Sequence, residues 1–520
     1  MPQQPNILFL FSDQHHAGAL GCAGHPRVRT PALDALAARG VRCARAFAQS
    51  PICTPSRVCY FSGQYALNHG YYGLDGAPPL HIPSLFTAFR GAGYRTGMVG
   101  KIHTPPGWLS RDCDLTRDGY GHEYAPVRDL SLTPPEALGC WEEFPRDDYS
   151  DYLTGKGLRT ERDDLFLQEW YAAHGACAGQ GLDARPSRLG PDDTFEAWTA
   201  AEAGRFLEEA GDDPFCLWVS FPHPHPTYAP AAPFWELYDD DLPLPPSAHD
   251  DLADRHPTLR AERERQRAVE WAVFEPRDWN AARRRVLRGY YGCVSQMDDA
   301  VGRVLARLDA LGLRENTIVV YASDHGDFML EHGLIEKAPG IGSRAVTQVP
   351  MLWSWPGHLP EGETCGALAE SVDVLPTLCA LAGLPAPDWT DGHDLTGVLA
   401  GDTDAVRDVA VTEGPYAHAV HTRRYTLVHY PAAMSGGAPF TELFDHDTDP
   451  GERVNLAADP AYQDIVHDLR AHLLDWTYTH RRKTTLLPLL TNTPTAADGA
   501  VSHAAEALLL EGEDWRRNYL

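Results

Sequence analysis

The stretch Asn6-Ile7-Leu8-Phe9-Leu10-Phe11-Ser12-Asp13-Gln14 decides the fold class. Its apolar run shows no polar alternation, which predicts a strand buried on both faces, as in a parallel sheet. Ser12, Asp13 and Gln14 then form a polar cluster at its carboxyl end. The pattern recurs along the chain. An apolar segment at 96–99 runs into Gly100-Lys101-Ile102-His103, one at 215–221 into Pro222-His223-Pro224-His225, and one at 317–321 into Ala322-Ser323-Asp324-His325-Gly326. Helical segments lie between them. Residues 30–40 read as a helix capped by Thr30, with Pro31 at its first position and Gly40 as its stop. Residues 82–93 repeat that design, 194–207 are helical, and the Arg-rich 250–290 leads into a helix bearing Val301, Val304, Leu305 and Leu308 and closed by Gly312.

Alternating strands and helices predict an α/β fold: a large, mainly parallel sheet sandwiched by helices, with its site beyond the strand carboxyl ends. The texture changes near residue 400. Strand-like runs at 409–412, 418–421 and 425–430 precede a helix at 462–476. The expected organisation is therefore an α/β catalytic domain over 1–400 and a smaller α+β subdomain over 401–520, with an antiparallel sheet, a helix and a tail. Residues 105–190, rich in Asp, Pro, Gly and Tyr, read as loops and short elements inserted near the site.

Composition narrows the function. The chain has 520 residues and a net charge of −28, from 44 basic and 72 acidic residues. Such a surface repels phosphate backbones and anionic membranes, so neither nucleic acid nor membrane is an expected partner. A small anionic substrate needs a local concentration of cations. No secretory leader is read at Met1, and the 11 cysteines include no C-x-x-C pair, which fits reduced thiols and a cytoplasmic location. Only four lysines occur, Lys101, Lys156, Lys337 and Lys483. Arginine supplies the generic positive charge, so Lys101 and Lys337, both beside strand-end clusters, are candidates for specific roles.

Cys53-Thr54-Pro55-Ser56-Arg57 places a thiol near a helix amino end, where the helix dipole favours negative charge, with Arg57 one turn on and on the same side. Asp13-Gln14 and Asp324-His325 each end a strand. If the strands are neighbours, two carboxylates, an amide carbonyl and an imidazole converge on one point and can hold a divalent metal. Capping and turn formation are the plainer roles for any one such Asp. Lys101-x-His103 and His223-x-His225 are spaced to present both members of each pair to one face.

Taken in order, these segments resemble the formylglycine-dependent sulfatases. The likeness rests on Cys53-x-Pro55-x-Arg57, Asp13-Gln14, Gly100-Lys101-x-His103, Pro224-His225, Ser323-Asp324-His325-Gly326 and Lys337. It extends to Glu442-Leu-Phe-Asp445, Asp449-Pro450-x-Glu452 and Asn455-Leu456. It implies an alkaline phosphatase-like fold and a nucleophile made by oxidising Cys53 to formylglycine, which hydrates to a geminal diol. A formylglycine-generating enzyme is then the maturation partner. The metal, calcium or manganese, with zinc also compatible with the imidazole, would be held by Asp13, Gln14, Asp324, His325 and the modified residue 53. By the same resemblance, Arg57 holds the diol and Lys101 and Lys337 bind the sulfate oxygens. His225, with Lys337, protonates the leaving alcohol, His103 deprotonates the remaining hydroxyl, and His223 joins the substrate-binding set.

Gln14 and His325 depart from the Asp pair and Asp-Asn pair of many family members. They resemble the choline-sulfatase-like and phosphonate monoester hydrolase-like subgroup. A phosphonate monoester or phosphodiester hydrolase is therefore the alternative activity, and a catalytically silent binding homologue a third. Tyr71, Tyr72, Trp108 and Tyr228 are candidates for an aromatic wall holding an aryl or quaternary ammonium group, with core packing as the plainer reading. The aromatic and basic end, 515–520, is a candidate dock for a second copy, hence a homo-oligomer.

Overall fold

A computed structural model describes residues 4–73, 82–105, 107–119, 147–159, 184–273 and 278–481, with only the backbone described for 268–273. They belong almost wholly to one compact unit, Met1–Thr479; of the other unit, His480–Leu520, only the first two residues are described. Most of the expected 105–190 insertion, Lys483 and the 515–520 tail lie outside the described residues.

The strands in chain order are β1 (Asn6–Asp13), β2 (Val41–Phe47), β3 (Arg95–Gly100), β4 (Leu115–Asp118), β5 (Phe215–Pro224), β6 (Thr317–Ser323), β7 (Gln348–Val349), β8 (Met351–Ser354) and β9 (Glu363–Glu370). They form one sheet in the order β4-β3-β5-β1-β6-β8-β2-β7, with β9 added beside β2. The central run β3-β5-β1-β6 is parallel throughout, and β4 joins it in parallel. The antiparallel pairings involve β8 and β7.

Every residue of β1 is buried, as its unbroken apolar run requires. Ile7, Phe9 and Phe11 join one core with Val58, Tyr60 and Phe61 of the helix Cys53–Ser62. Leu8 and Leu10 join a second core with the helices Phe195–Ala210 and Trp279–Ala310. Alternate side chains thus feed opposite layers, and the sheet is sandwiched as expected.

Two local expectations are corrected. Thr30 precedes the helix Pro31–Ala38 but makes no capping bond; its hydroxyl accepts from Gly21 N and donates to Asp34. The free amides of Ala32 and Leu33 donate instead to Asp298, at 2.9 and 2.8 Å. The second helix starts at Leu85, capped by Ser84 rather than led by Pro83.

After residue 400 come β10 (Ala410–Glu413), β11 (His418–His421), β12 (Tyr425–Tyr430) and β13 (Phe440–Asp445), an antiparallel meander followed by the helix Gln463–His480. β10 is bonded to the segment that leads to Cys53: Thr412 Oγ1 donates to Ala48 O at 2.7 Å, and Glu413 N to Gln49 O at 2.7 Å. No described helix is long and apolar enough to cross a membrane.

Candidate active site

The carboxyl ends of β3, β5, β1 and β6 lie side by side. In register, Ser12 faces Ser323, Asp13 faces Pro224, and Gly100 faces Ser220. The residues just past those ends therefore share one edge of the sheet. The helix Cys53–Ser62 adds the thiol from its first residue and Arg57 from its next turn, and all ten of its residues are buried.

Arg57 ties the edge together. Its Nη2 donates to Asp13 Oδ2 and its Nε to Asp324 Oδ2, both at 2.9 Å. Its Nη1 donates to Lys101 O, Ile102 O and Ser220 Oγ at 2.8, 3.1 and 3.1 Å. One guanidinium thus reaches groups from all four central parallel strands or their immediate continuations. Its planar fork suits this, where an ammonium would not.

Lys101 Nζ also lies 2.8 Å from Asp13 Oδ2, so that oxygen carries two cations. Asp13 Oδ1 is approached by Cys53 Sγ and His325 Nε2, each at 3.9 Å. Burial opposes ionisation of Asp13, but Lys101, His225 and Arg57 together hold its pKa well below the usual carboxylate range. Asp324 Oδ1 accepts from Gln14 N and His325 N. His325 Nδ1 donates to Gly326 O at 2.8 Å, so Nε2 faces Cys53 Sγ at 3.1 Å. Burial works against charge on His325, yet Asp324 and Cys53 carry its pKa up to about 9.

Asp13, Cys53, Asp324 and His325 each offer a ligand atom, and the four atoms lie within 4.8 Å of one another. Cys53 Sγ stands where an oxygen of the oxidised residue would be. Gln14 lies beside this set, its backbone N–H on Asp324 Oδ1 at 3.0 Å. Its Nε2 donates to Asp327 Oδ2 at 2.7 Å and to Tyr228 OH at 3.4 Å, leaving Oε1 to accept from Lys337 Nζ at 3.0 Å. Oxygen and imidazole donors in this number, with Asp13 Oδ1 free of N–H donors among the described residues, fit a divalent cation.

Lys337 Nζ also donates to His225 Nε2 at 3.1 Å, and His225 Nδ1 donates to Pro226 O at 2.7 Å, which fixes the neutral tautomer. Burial, with Lys101 and Lys337, holds His225 well below the ordinary histidine pKa. The proton between the two side chains therefore sits on Lys337, whose own pKa is raised against the effect of burial by Cys53 and Glu336.

The structure thus brings together Asp13, Gln14, Cys53, Arg57, Lys101, His225, Asp324, His325 and Lys337. His223 Nε2 lies 3.7 Å from Glu196 Oε1. The strand periodicity expected to align His223 with His225 breaks at the cis His223-Pro224 bond, where the register with β1 also shifts. His103 lies past the end of β3 with a positive φ of 44°, so it too does not share strand geometry with Lys101. Three of the four aromatic residues, Tyr71, Trp108 and Tyr228, are core, and Tyr72 is half-buried. Trp108 is fully buried with its indole N–H on Ile82 O, Tyr71 packs in the same core, and Tyr228 OH donates to Asp327 at 2.7 Å; Tyr72 OH donates to Glu413.

Asp327 was missed by sequence reasoning. Its Oδ2 holds Gln14 and Tyr228, and its Oδ1 accepts from Met329 N and Glu336 N, which orders the loop carrying Lys337. The one available signal was its place directly after Asp324-His325-Gly326.

The family model described as Sulfatase matches residues 5–384, and the one described as N-sulphoglucosamine sulphohydrolase, C-terminal, matches residues 331–479. The chain is 29% identical over 493 residues to an ulvan-active sulfatase of Formosa agariphila, covering 91% of this chain and 81% of that one. It is 28% identical over 472 residues to a choline-sulfatase of Rhizobium meliloti, covering 88% and 83%. The solved phosphonate monoester hydrolase of Silicibacter pomeroyi has a TM-score of 0.73 at 23% identity, covering 93% of this chain and 97% of that one, a likeness of fold.

Proposed function

The chain belongs to the sulfatase family of the alkaline phosphatase superfamily and is a sulfuric ester hydrolase, and from that premise we propose that it splits a sulfate monoester into an alcohol and inorganic sulfate, with oxidised Cys53 as nucleophile. The observation that carries the reading is the position of Cys53 Sγ at a helix amino end, grouped with Asp13, Asp324 and His325 while Arg57 clamps both carboxylates. A calcium or manganese ion held by Asp13, Gln14, Asp324, His325 and residue 53 would lower the nucleophile's pKa and screen the charge of the incoming ester. Formylglycine, hydrated, would supply a hydroxyl nucleophile and a second hydroxyl that lets sulfate leave by C–O cleavage.

The chain's own groups do the rest. Arg57 fixes Asp13 and Asp324 before substrate arrives, so no reorganisation is needed during reaction. Lys101 and Lys337 supply positive charge for the sulfate oxygens and their growing negative charge. Lys337 carries the proton for the leaving alcohol and is reprotonated from solvent afterwards, while His225 orients its ammonium. His103 is the proposed base for the remaining hydroxyl. The proposed substrate-binding set is Lys101, Lys337 and His223, whose Nε2 lies 3.7 Å from Glu196 Oε1.

A formylglycine-generating enzyme is the proposed maturation partner, and the cytoplasm the proposed location, since the nine cysteines among the described residues are all free thiols. The alternative, a phosphonate monoester or phosphodiester hydrolase, is supported by Gln14 and His325, which make the ligand set less anionic than one of carboxylates alone. Comparing kcat/KM for aryl sulfate, phosphonate monoester and phosphodiester substrates separates the two. A silent binding homologue is disfavoured because the cluster is complete.

The decisive test is mass spectrometry of the tryptic peptide 46–57 from protein made in its native host. A formylglycine mass at Cys53 is expected. An unmodified thiol in fully active protein would overturn the mechanism.

A further inference from the structure

A cavity of about 560 Å³ opens elsewhere in the unit, lined by none of the residues of the candidate active site. Four arginines line it: Arg42 and Arg45 of β2, Arg344, and Arg423 at its rim. Among the described residues, none of the four has a carboxylate within ion-pair distance. That is notable in a chain with 72 acidic residues against 44 basic ones. Their polar contacts are neutral: Arg45 donates to Gly366 O, Arg344 to the Gln348 side chain, and Arg423 to Asp404 O. Arg45 Nε is buried without a hydrogen-bond partner, and a buried orphan donor is costly.

Three carboxylates also line the cavity, and each is engaged. Glu331 Oε1 lies 3.5 Å from His16, and Asp447 Oδ2 lies 3.4 Å from Arg424. Glu452 accepts from Ser343 Oγ at 2.7 Å and from Arg344 N, and burial pushes its pKa up to about 7. Burial lowers the pKa of Arg344; Glu452 and Glu331 oppose that, and Arg45 adds to it, so the nearest guanidinium is felt across the space. Guanidiniums that make no direct ion pair around a void leave donors for an anion between them, and their planar forks match the oxygens of sulfate and phosphate.

We propose that this cavity binds an organic oxyanion, a small molecule bearing sulfate or phosphate groups, at a site distinct from the one that does the chemistry. A lone inorganic anion would leave most of the volume unfilled, since cavities of this size hold drug-sized ligands. The inference stands on the arginines and does not depend on the sulfatase reading of the Cys53 cluster.

The test is calorimetric titration of the full chain with inorganic sulfate, inorganic phosphate and pyrophosphate, each at one fixed ionic strength. Saturable binding is expected to persist in Lys337→Ala and to weaken at least about fivefold in Arg42→Gln and in Arg344→Gln. Among the described residues the Arg42 side chain makes no hydrogen bond or ion pair, so its variant keeps the test valid if Arg344→Gln misfolds. Arg303→Gln, on an exposed helix face, controls for net charge. Tightest binding of sulfate points to a sulfated ligand, and of pyrophosphate to a phosphorylated one. Binding that is lost in Lys337→Ala but unchanged in Arg42→Gln would overturn the proposal, as would no saturable binding in the unmodified chain.

Discussion

Two buried arginine clusters in this protein use the same ingredients to different ends. In one, Arg407 meets Asp373 through both Nη atoms, at 2.5 and 2.6 Å, and Glu370 at 3.2 Å. The remaining oxygen capacity of those carboxylates is taken up by Val411 N, Glu370 N, His393 N and Tyr65 OH. In the other, Arg57 meets Asp13 and Asp324, but Asp13 Oδ1 faces only a thiol and an imidazole, each at 3.9 Å. The first cluster is saturated and structural. The second keeps a carboxylate oxygen in reserve, which is what a ligand site requires.

The largest expected effect separates the two at once. Cys53→Ala should cut turnover by roughly 10³-fold or more with the melting temperature little changed, because it removes the nucleophile and no hydrogen-bonded partner of Arg57. Unaltered turnover would erase the functional side of the contrast. Arg407→Met should do the opposite. It leaves two buried carboxylates unpaired and should destabilise by about 3–5 kcal/mol in denaturant unfolding, while the folded fraction keeps its kcat.

What could be read beforehand follows the same division. The saturated apolar strands β1, β5 and β6 were legible because burial on both faces leaves an unbroken hydrophobic run. So were the polar strand ends and the helix bearing Cys53. β2 was not, since Val41-Arg-Cys-Ala-Arg-Ala-Phe47 mixes arginine with small residues, and β9, with Gly366 and three flanking small or apolar residues, lacks a clear period. The Arg407 cluster was also invisible: Arg407 and Asp373 are 34 residues apart and neither stands in a motif. Asp327 escaped for a similar reason, acting on Gln14 across 313 residues. His223 and His225 were read as a pair because alternation is a rule of strands, and the chain leaves the strand between them.

A smaller effect tests the proton arrangement inside the second cluster. Lys337→Ala and His225→Ala should each lower kcat by roughly 10²-fold on a substrate with a poor leaving group. The double variant should be little worse than either, since the two share one proton. Additive losses would mean that they act separately.

Cation binding should show the reserved oxygen directly. Calcium or manganese at about 100 times its Kd should stabilise the folded chain by about 2.7 kcal/mol, seen as a rise of a few degrees in calorimetry. Asp13→Asn should lose most of that rise, whereas the Arg407 cluster should contribute nothing to it.

The smallest effect concerns a further buried carboxylate. Asp298 caps Ala32 and Leu33 without a cation within ion-pair distance among the described residues, and burial raises its pKa from 3.8 to about 7. The folded state therefore favours its protonated form. The stability this adds is complete below about pH 4 and is lost as pH rises through about 7. Between pH 5 and 8 the melting temperature of Asp298→Asn should gain on the unmodified chain by roughly 2 °C. No relative gain would show that the two backbone N–H bonds outweigh desolvation.

Arg57 also acts as a gauge of strand alignment. Its five donor contacts reach Asp13, Asp324, Ser220 and the carbonyls of Lys101 and Ile102, which are spread over the ends of four adjacent strands. A slip of one residue in any of those strands would turn its contact to the other face. A mispaired sheet would then strand a guanidinium in the interior, a heavy penalty. The middle of the sheet consequently has a built-in error check, and the site is expected to assemble late in folding. Regain of cation binding on refolding should lag behind regain of secondary structure, so competence of the site certifies the alignment of the strands beneath it.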